Sequence, residues 1–347
     1  MAVITLLSWN IEVYGPEKYG NRPNNLGLQQ LIAEVVRDTG ANMVVLQELM
    51  SSVATGICFN LTEAFQAATG NNWSWFVEYA RPDYDRESYG VFFQTGGNIA
   101  SIVTPALSPV VFPNNFSYNQ NSNGRKALIG GFQATDTGNY FAVSVYHAPP
   151  NAYATAGVEA LGISPTLYDI GGQDYPSRLL VGDYNLEYNK YPGNYEWLTD
   201  PVPAFPPPSA SGQGAGTTPI ITTDDTHLMK VDKLISDYGN DLGDWPTDSE
   251  DYSNKQYDNI FWASDNAAPS ASGGVYDLVA KIMDGSTNAR AIAQNFVLTS
   301  PLGLAAFPNS TAIPTPLNTN LDYAPIAYLL VRYGVSDHLP VYLTVTI

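Results

Sequence analysis

The chain has 347 residues, with 33 acidic against 15 basic side chains and a net charge of −18. Hydrophobic residues make up 44% and charged residues only 14%, the balance of a folded chain rather than a disordered one. A single cysteine, Cys58, excludes an internal disulfide framework and a cysteine-built zinc site, no apolar run reaches the ~18 residues of a membrane span, and the acidic balance argues against a broad basic surface for polyanions.

In chain order, apolar runs rich in Val, Ile and aromatics and bounded by Gly, Pro or Asn predict buried strands over 2–9, 43–47, 90–94, 99–103, 127–133, 141–146, 179–181, 260–262 and 339–346. Helical spacing spans 26–39, with apolar residues at 28, 31, 32, 35 and 36 and Gly40 as a stop signal. Shorter helices are predicted over 61–69 and 275–283. Many strands with few helices predict two packed sheets flanked by helices, an α/β architecture. One domain is expected over 1–347, with loop insertions at 191–255, which is Pro-rich and then acidic, and at 264–325, which is rich in Ala, Ser, Asn and Pro. Loops that long are usually functional or mobile. The first seven residues are apolar but lack the basic start and cleavage site of a signal peptide, which leaves localisation open with a secreted or extracellular setting favoured. A monomer is expected.

Polar residues suited to metal and phosphate chemistry stand at the ends of the apolar runs. Asn10 follows Leu6-Leu7-Ser8-Trp9, Glu48 follows Val44-Val45-Leu46-Gln47, and His147 follows Val143-Ser144-Val145-Tyr146. Asp183 and Asn185 follow Leu179-Leu180-Val181-Gly182, Asp258 opens Asp-Asn-Ile-Phe-Trp, and Asp337-His338 precedes Leu-Pro-Val-Tyr-Leu. A lone carboxylate at a strand end is more often a cap, and a lone histidine more often structural. Six such placements, holding two of the three histidines, point instead to one rim where a sheet can gather side chains. A hard cation such as Mg²⁺, with Mn²⁺ or Ca²⁺ as alternatives, wants carboxylate and amide oxygens. Glu48 and Asn10 offer these, and Asp183, Asn185 and Asp337 can complete the set.

The segments Ser8-Trp9-Asn10-Ile11, Gln47-Glu48, His147-Ala148-Pro149, Gly182-Asp183-Tyr184-Asn185, Tyr257-Asp258-Asn259-Ile260 and Ser336-Asp337-His338-Leu339-Pro340-Val341 resemble the endonuclease/exonuclease/phosphatase superfamily, with wording closest to deoxyribonuclease-I-like enzymes. The resemblance runs from residue 8 to residue 341. It implies a four-layered α/β sandwich with two central mixed β-sheets. It implies that Asn10, Glu48 and Asp337 hold metal, and that His147, Asp183, Asn185, Asp258 and His338 are catalytic. Glu87 resembles the family's second glutamate, which orients His147, and Arg125 resembles an arginine that touches substrate phosphate. Asp258 is then the partner of His338. Either Asp183 or the Asp258–His338 pair activates water, and His147 protonates the leaving oxygen.

The sequence also departs from the family. Glu48 is followed by Leu49, Met50 and Ser51, without the basic residue that enters a DNA minor groove, and the aromatic two positions before the second glutamate is Asp85, with Tyr84 beside it. Tyr257-Asp258-Asn259 replaces the Cys-Asp-Arg of inositol-phosphate phosphatases. Tyr191, Tyr195, Trp197 and Phe205 match a membrane-entering loop only loosely. Arg86, Arg125, Lys126 and Arg178 are the basic residues nearest the motifs. The expected function is metal-dependent cleavage of phosphodiester bonds, foremost by an endonuclease on DNA with weak, non-specific binding. The alternatives are a phosphodiesterase or phosphatase on a lipid or small phosphate ester, and a non-catalytic binding protein. The third histidine, His227, matches no motif and reads as a solvated loop residue, with a second metal site beside Asp224 and Asp225 as the alternative.

Overall fold

Strand β1 (Val3–Tyr14) is buried along most of its length. It pairs in parallel with β2 (Met43–Leu49) and antiparallel with the last strand, so both of its edges are covered. A strand with such neighbours and two packed faces reads as a continuous apolar run, and that is why Leu6, Leu7 and Trp9 follow one another. The computed structural model describes residues 2–20, 22–80, 87–96, 99–101, 125, 127–149, 154, 169–170, 173–187, 218–219, 224–264, 271–296 and 319–347.

The other strands are β3 (Trp73–Tyr79), β4 (Ser88–Gln94), β5 (Ile99–Ser101), β6 (Leu128–Ala134), β7 (Tyr140–Val145), the short pair β8 (Asp169–Ile170) and β9 (Gln173–Asp174), β10 (Ser177–Asp183), β11 (Thr218–Pro219), β12 (Asp258–Ser264), β13 (Ala271–Val275) and β14 (Val341–Thr346). Two six-stranded sheets result, in the orders β13-β14-β1-β2-β4-β3 and β11-β12-β10-β7-β6-β5. Each is mixed: β1–β2 and β7–β10 are parallel, and the other pairings are antiparallel. This is the predicted α/β architecture.

Alternation within the strands sends side chains to two cores. Leu6, Val45, Val91 and Phe93 from one sheet meet Phe132, Val143, Val181 and Ile260 from the other. Phe93 meets Phe132 edge-on at 5.5 Å. Leu7, Trp9, Val44 and Leu46 face the opposite way, toward helices α2 (Arg22–Thr39) and α3 (Ala54–Thr69), which follow the short α1 (Pro16–Gly20).

Helices α4 (Val231–Tyr238), α5 (Leu278–Met283), α6 (Asn288–Ala293) and α7 (Ala324–Leu330) join this second core through Leu234, Leu278, Ala289 and Leu329. Described parts of 191–255 and 264–325 therefore supply core residues. No helix among the described residues is long and apolar enough to cross a membrane.

Nine predicted strands are present with shifted ends, although residues 102–103 lie outside the described residues. Five strands were not predicted: the two-residue β8, β9 and β11, and the longer β3 and β13. In β3, Ser74 and Glu78 interrupt the apolar run, as suits a half-buried edge strand. In β13, Ala-Ser-Gly-Gly-Val has little strand propensity and is held by its register with β14. The helix predicted over 275–283 begins later. Val275 belongs to β13, and Asp277 caps the helix by accepting from Ala280 N–H at 2.9 Å.

Candidate active site

The two sheets are joined where their site-bearing strands end. Asn10 sits opposite Gln47 just before the β1–β2 register shifts toward Tyr14 and Leu49, and Asp183 closes β10 opposite Asp258 on β12. Gln47 is fully buried. Its side-chain carbonyl accepts the backbone N–H of Asp183 at 2.9 Å, while its amide donates to Ser8 Oγ at 3.0 Å. One side chain thus ties the Glu48 strand to the Asp183 strand across the core.

The backbone is bent on purpose at this rim. Glu48 and Asn185 have φ of 59° and 51°, a left-handed conformation uncommon outside glycine. Just before Asp183, Gly182 has φ 154°, and a Cβ there would lie 1.8 Å from the carbonyl oxygen of Tyr146. The glycine lets β10 and the end of β7 close up so that His147 and Asp183 become neighbours.

Asp183 is the centre of the cluster. Its Oδ2 accepts from Asn10 Nδ2 at 3.1 Å and lies 3.6 Å from both His147 Nε2 and His338 Nε2. Its Oδ1 accepts the Asn185 N–H at 2.8 Å. Burial pushes this carboxyl up. The two imidazoles, the Asn185 N–H and the Asn10 amide outweigh it and hold Asp183 below the usual carboxylate range.

Two histidines approach from opposite sides, each with a carboxylate behind it. His338 Nδ1 lies 2.7 Å from Asp258 Oδ2, which also accepts from Thr226 Oγ1 at 2.8 Å. Burial disfavours the imidazolium, but Asp258, Asp183 and Asp337 together raise His338 well above its ordinary value. On the other side, His147 Nε2 is 3.6 Å from Glu48 Oε1 and its Nδ1 is 3.6 Å from Glu87 Oε2. The His147 backbone N–H donates to Tyr89 Oη at 3.1 Å. Arg125 stands behind Glu87, donating from Nη2 to Glu87 Oε1 at 2.9 Å and from Nη1 to the Ala148 carbonyl at 2.6 Å. Asn185 Nδ2 donates to the same carbonyl at 2.9 Å.

All ten predicted site residues therefore come together, with two differences from expectation. Arg125 is buried and bonds to protein groups behind His147. The Asn10 amide turns its nitrogen, not its oxygen, to the carboxylates: Nδ2 donates to Glu48 Oε1 as well as to Asp183, both at 3.1 Å, and Oδ1 accepts the Glu12 N–H. The two carboxylate oxygens nonetheless converge on one spot, and an oxygen-rich set of this kind fits a hard divalent cation. The Asn10 oxygen, which accepts the Glu12 N–H, would join that set only with the amide turned over.

Three participants were not legible in the sequence. His227 is not a solvated loop residue. It is mostly buried, its Nε2 lies 3.5 Å from Asp337 Oδ2, and its ring meets that of His338 edge-on at 4.9 Å. Arg332 bridges Glu12 and Asp337, at 3.1 Å and 3.3 Å. Lys18 donates to the carbonyls of Ile11 and Val335, both at 3.0 Å, and of Glu12 at 2.5 Å. Burial would raise Asp337, yet His338, His227 and Arg332 hold it far below the usual carboxylate range. Tyr84, Asp85, Arg86, Lys126 and the aromatic loop from Tyr191 to Phe205 lie outside the described residues.

No family profile and no curated protein matches the sequence. Solved structures do match over essentially the whole chain. An endonuclease/exonuclease/phosphatase family protein from Bacteroides thetaiotaomicron aligns at 13% identity with a TM-score of 0.54, covering 100% of this chain and 98% of that one. A mannosyl-6-phosphatase from the same organism aligns at 13% identity and TM-score 0.51, covering 99% and 100%. TDP2 from D. rerio, complexed with a single-strand DNA product, aligns at 13% identity and TM-score 0.50, covering all of both chains. At this identity the likeness is one of fold. The chain has the deoxyribonuclease-I-like α/β sandwich of the endonuclease/exonuclease/phosphatase proteins.

Proposed function

We propose that the protein is a divalent-cation-dependent phosphoric ester hydrolase acting on phosphodiester bonds, foremost those of DNA. The observation that carries this reading is Asp183 Oδ2 lying 3.6 Å from both His147 Nε2 and His338 Nε2. Two imidazoles converging on one ionised carboxylate suit a reaction in which water loses a proton, phosphorus gains negative charge and a leaving oxygen needs a proton.

Glu48 would hold the cation with Asn10, and Asp337 would add its charge at the rim. The bound cation would supply charge neutralisation at the phosphoryl oxygens. Asp183 is kept ionised and accepts the proton of the attacking water. His338, kept protonated by three carboxylates, donates to a phosphoryl oxygen, so the pair it forms with Asp258 stabilises charge rather than acting as the base. Asn185, whose Nδ2 donates to the Ala148 carbonyl, would offer its side-chain amide to the same phosphoryl oxygen. His147, backed by Glu87 and Arg125, hands a proton to the leaving oxygen.

A second reading is favoured by one observation. Of the four basic residues nearest the motifs, the two that are described, Arg125 and Arg178, are buried and bonded to protein carbonyls. Neither of these two described arginines is free to follow a polyanion, which suits a small phosphate ester such as the substrate named for the mannosyl-6-phosphatase of like fold. Supercoiled plasmid, a chromogenic phosphodiester, sphingomyelin and a sugar phosphate, assayed side by side with and without EDTA, test both readings. Cleavage of the plasmid or chromogenic diester, abolished by EDTA, is expected. Turnover confined to the sugar phosphate would favour the second reading, and no turnover of any ester would overturn both.

A further inference from the structure

His227 is held beside the site by main-chain pairing. Leu228 N–H donates to the Asp337 carbonyl and Leu339 N–H to the Thr226 carbonyl, each at 2.7 Å, which sets His227 opposite His338 in an antiparallel bridge. Residues directly opposite each other in such a bridge bring their side chains together. His227 Nε2 and His338 Nε2 lie 3.5 Å from Asp337 Oδ2 and Oδ1 respectively. Ligand atoms of these three residues all fall within 4.8 Å of one another.

We propose that His227, Asp337 and His338 form a second cation site, selective for a borderline transition ion such as Zn²⁺ and inhibitory when filled. Around a tetrahedral ion with bonds of about 2.0–2.1 Å, ligand atoms stand roughly 3.3–3.4 Å apart. The two 3.5 Å spacings run to different oxygens of Asp337, so the carboxylate must turn and the set, now within 4.8 Å, must close up around the ion. The donors differ in kind from the oxygen set at Glu48 and Asn10. Imidazole nitrogens suit Zn²⁺ or Co²⁺, whereas Mg²⁺ prefers carboxylate and amide oxygens. A metal-bound imidazole characteristically gives its other ring nitrogen to a carboxylate. His338 is already built that way, with Nδ1 at 2.7 Å from Asp258 Oδ2 and Nε2 on the side of Asp337. Arg332, 3.3 Å from Asp337 Oδ2, fixes the carboxylate plane. Inhibition follows because an ion on His338 Nε2 occupies the nitrogen that faces Asp183. This last clause rests on the proposed hydrolase function, while binding itself does not.

The test begins with metal-stripped protein titrated with Zn²⁺ against a chromogenic chelator in excess Mg²⁺. One equivalent should bind, and Co²⁺ should give a tetrahedral absorption spectrum. His227→Gln should weaken Zn²⁺ by more than roughly 100-fold, beyond the 10–100-fold typical of losing an outer partner, with the melting temperature kept. His227→Ala is the second variant, should the first fold poorly. Zn²⁺ should inhibit Mg²⁺-supported hydrolysis in the wild type, and each His227 variant should resist, measured against its own zinc-free rate. Equal Zn²⁺ affinity in wild type and both variants would overturn the site. Zinc binding that depends on His227, in a protein that hydrolyses no ester, would uphold the site and count against the hydrolase reading alone.

Discussion

The side chain of Gln47 accepts the backbone N–H of Asp183 at 2.9 Å, so a residue on one sheet holds the central carboxylate of the other. Gln47→Leu keeps the volume but leaves the Asp183 N–H and Ser8 Oγ without their partner. A buried polar group stripped of its partner costs about 1–3 kcal/mol. The variant should lose stability in that range by denaturant titration and lose turnover beyond what its unfolded fraction explains. Wild-type stability together with wild-type turnover would show that the bridge between the sheets is dispensable.

The Asp258–His338 pair gives a pH dependence with a definite sign. His338 is raised above its ordinary value of about 6.5. A group raised in the folded state contributes stability that is fully present below its unfolded value and is lost as pH climbs through its folded one. Asp183, held low, behaves oppositely: its contribution is present above about 3.9, the ordinary value, and is lost as pH falls through the folded one. Asp258→Asn should therefore move the alkaline limb of the rate profile to lower pH and shrink the stability lost on the alkaline side. An alkaline limb that stays in place would assign it to another group.

Strain near Glu48 predicts a stabilising change. Val13 has φ 51°, rare for a β-branched residue, and is exposed, yet its N–H donates to Glu48 Oε2 at 3.0 Å. Val13→Asn keeps the N–H and tolerates the left-handed backbone, for which strain of about 1–3 kcal/mol is typical. Chemical denaturation should show a gain of about 1 kcal/mol with metal-dependent activity retained. A loss of stability would mean that Val13 earns its conformation through contacts of its side chain.

Much of the site was legible because apolar runs that end in Asn10, Glu48, His147 and Asp183 mark strands whose tips share one rim. Periodicity also exposed α2, whose inner face is Leu28, Leu31, Ile32, Val35 and Val36. It did not expose α7, in which all seven residues are buried and no polar face alternates with an apolar one. His227 was hidden for a different reason. Its segment has no period of its own and is placed by pairing with Asp337 and Leu339, which are distant in sequence. Arg332 likewise gains its role only when the turn ahead of Asp337 brings it against Glu12.

Nucleic-acid binding should be weak and shallow in salt. The net charge is −18, and among the described residues Arg125, Arg178 and Arg332 are engaged inside the protein, so few phosphate contacts are expected. At a slope near −0.9 per phosphate on duplex, two or three contacts give a log–log slope of roughly −2 to −3. Fluorescence anisotropy on a labelled duplex across a salt series reads this directly. A slope several times steeper would reveal basic residues converging on the cleft.

Metal-stripped enzyme, assayed on a chromogenic phosphodiester before and after Mg²⁺ is restored, with His147→Ala and His338→Ala alongside, tests the central claim most directly. Activity should return only with the cation in wild type. Each variant should stay folded while losing about 10²–10⁴-fold in rate, the usual share of an acid–base group, with His338→Ala also losing the stability of its buried pair with Asp258. Turnover that survives EDTA and dialysis, or near-normal turnover in either histidine variant, would contradict the account.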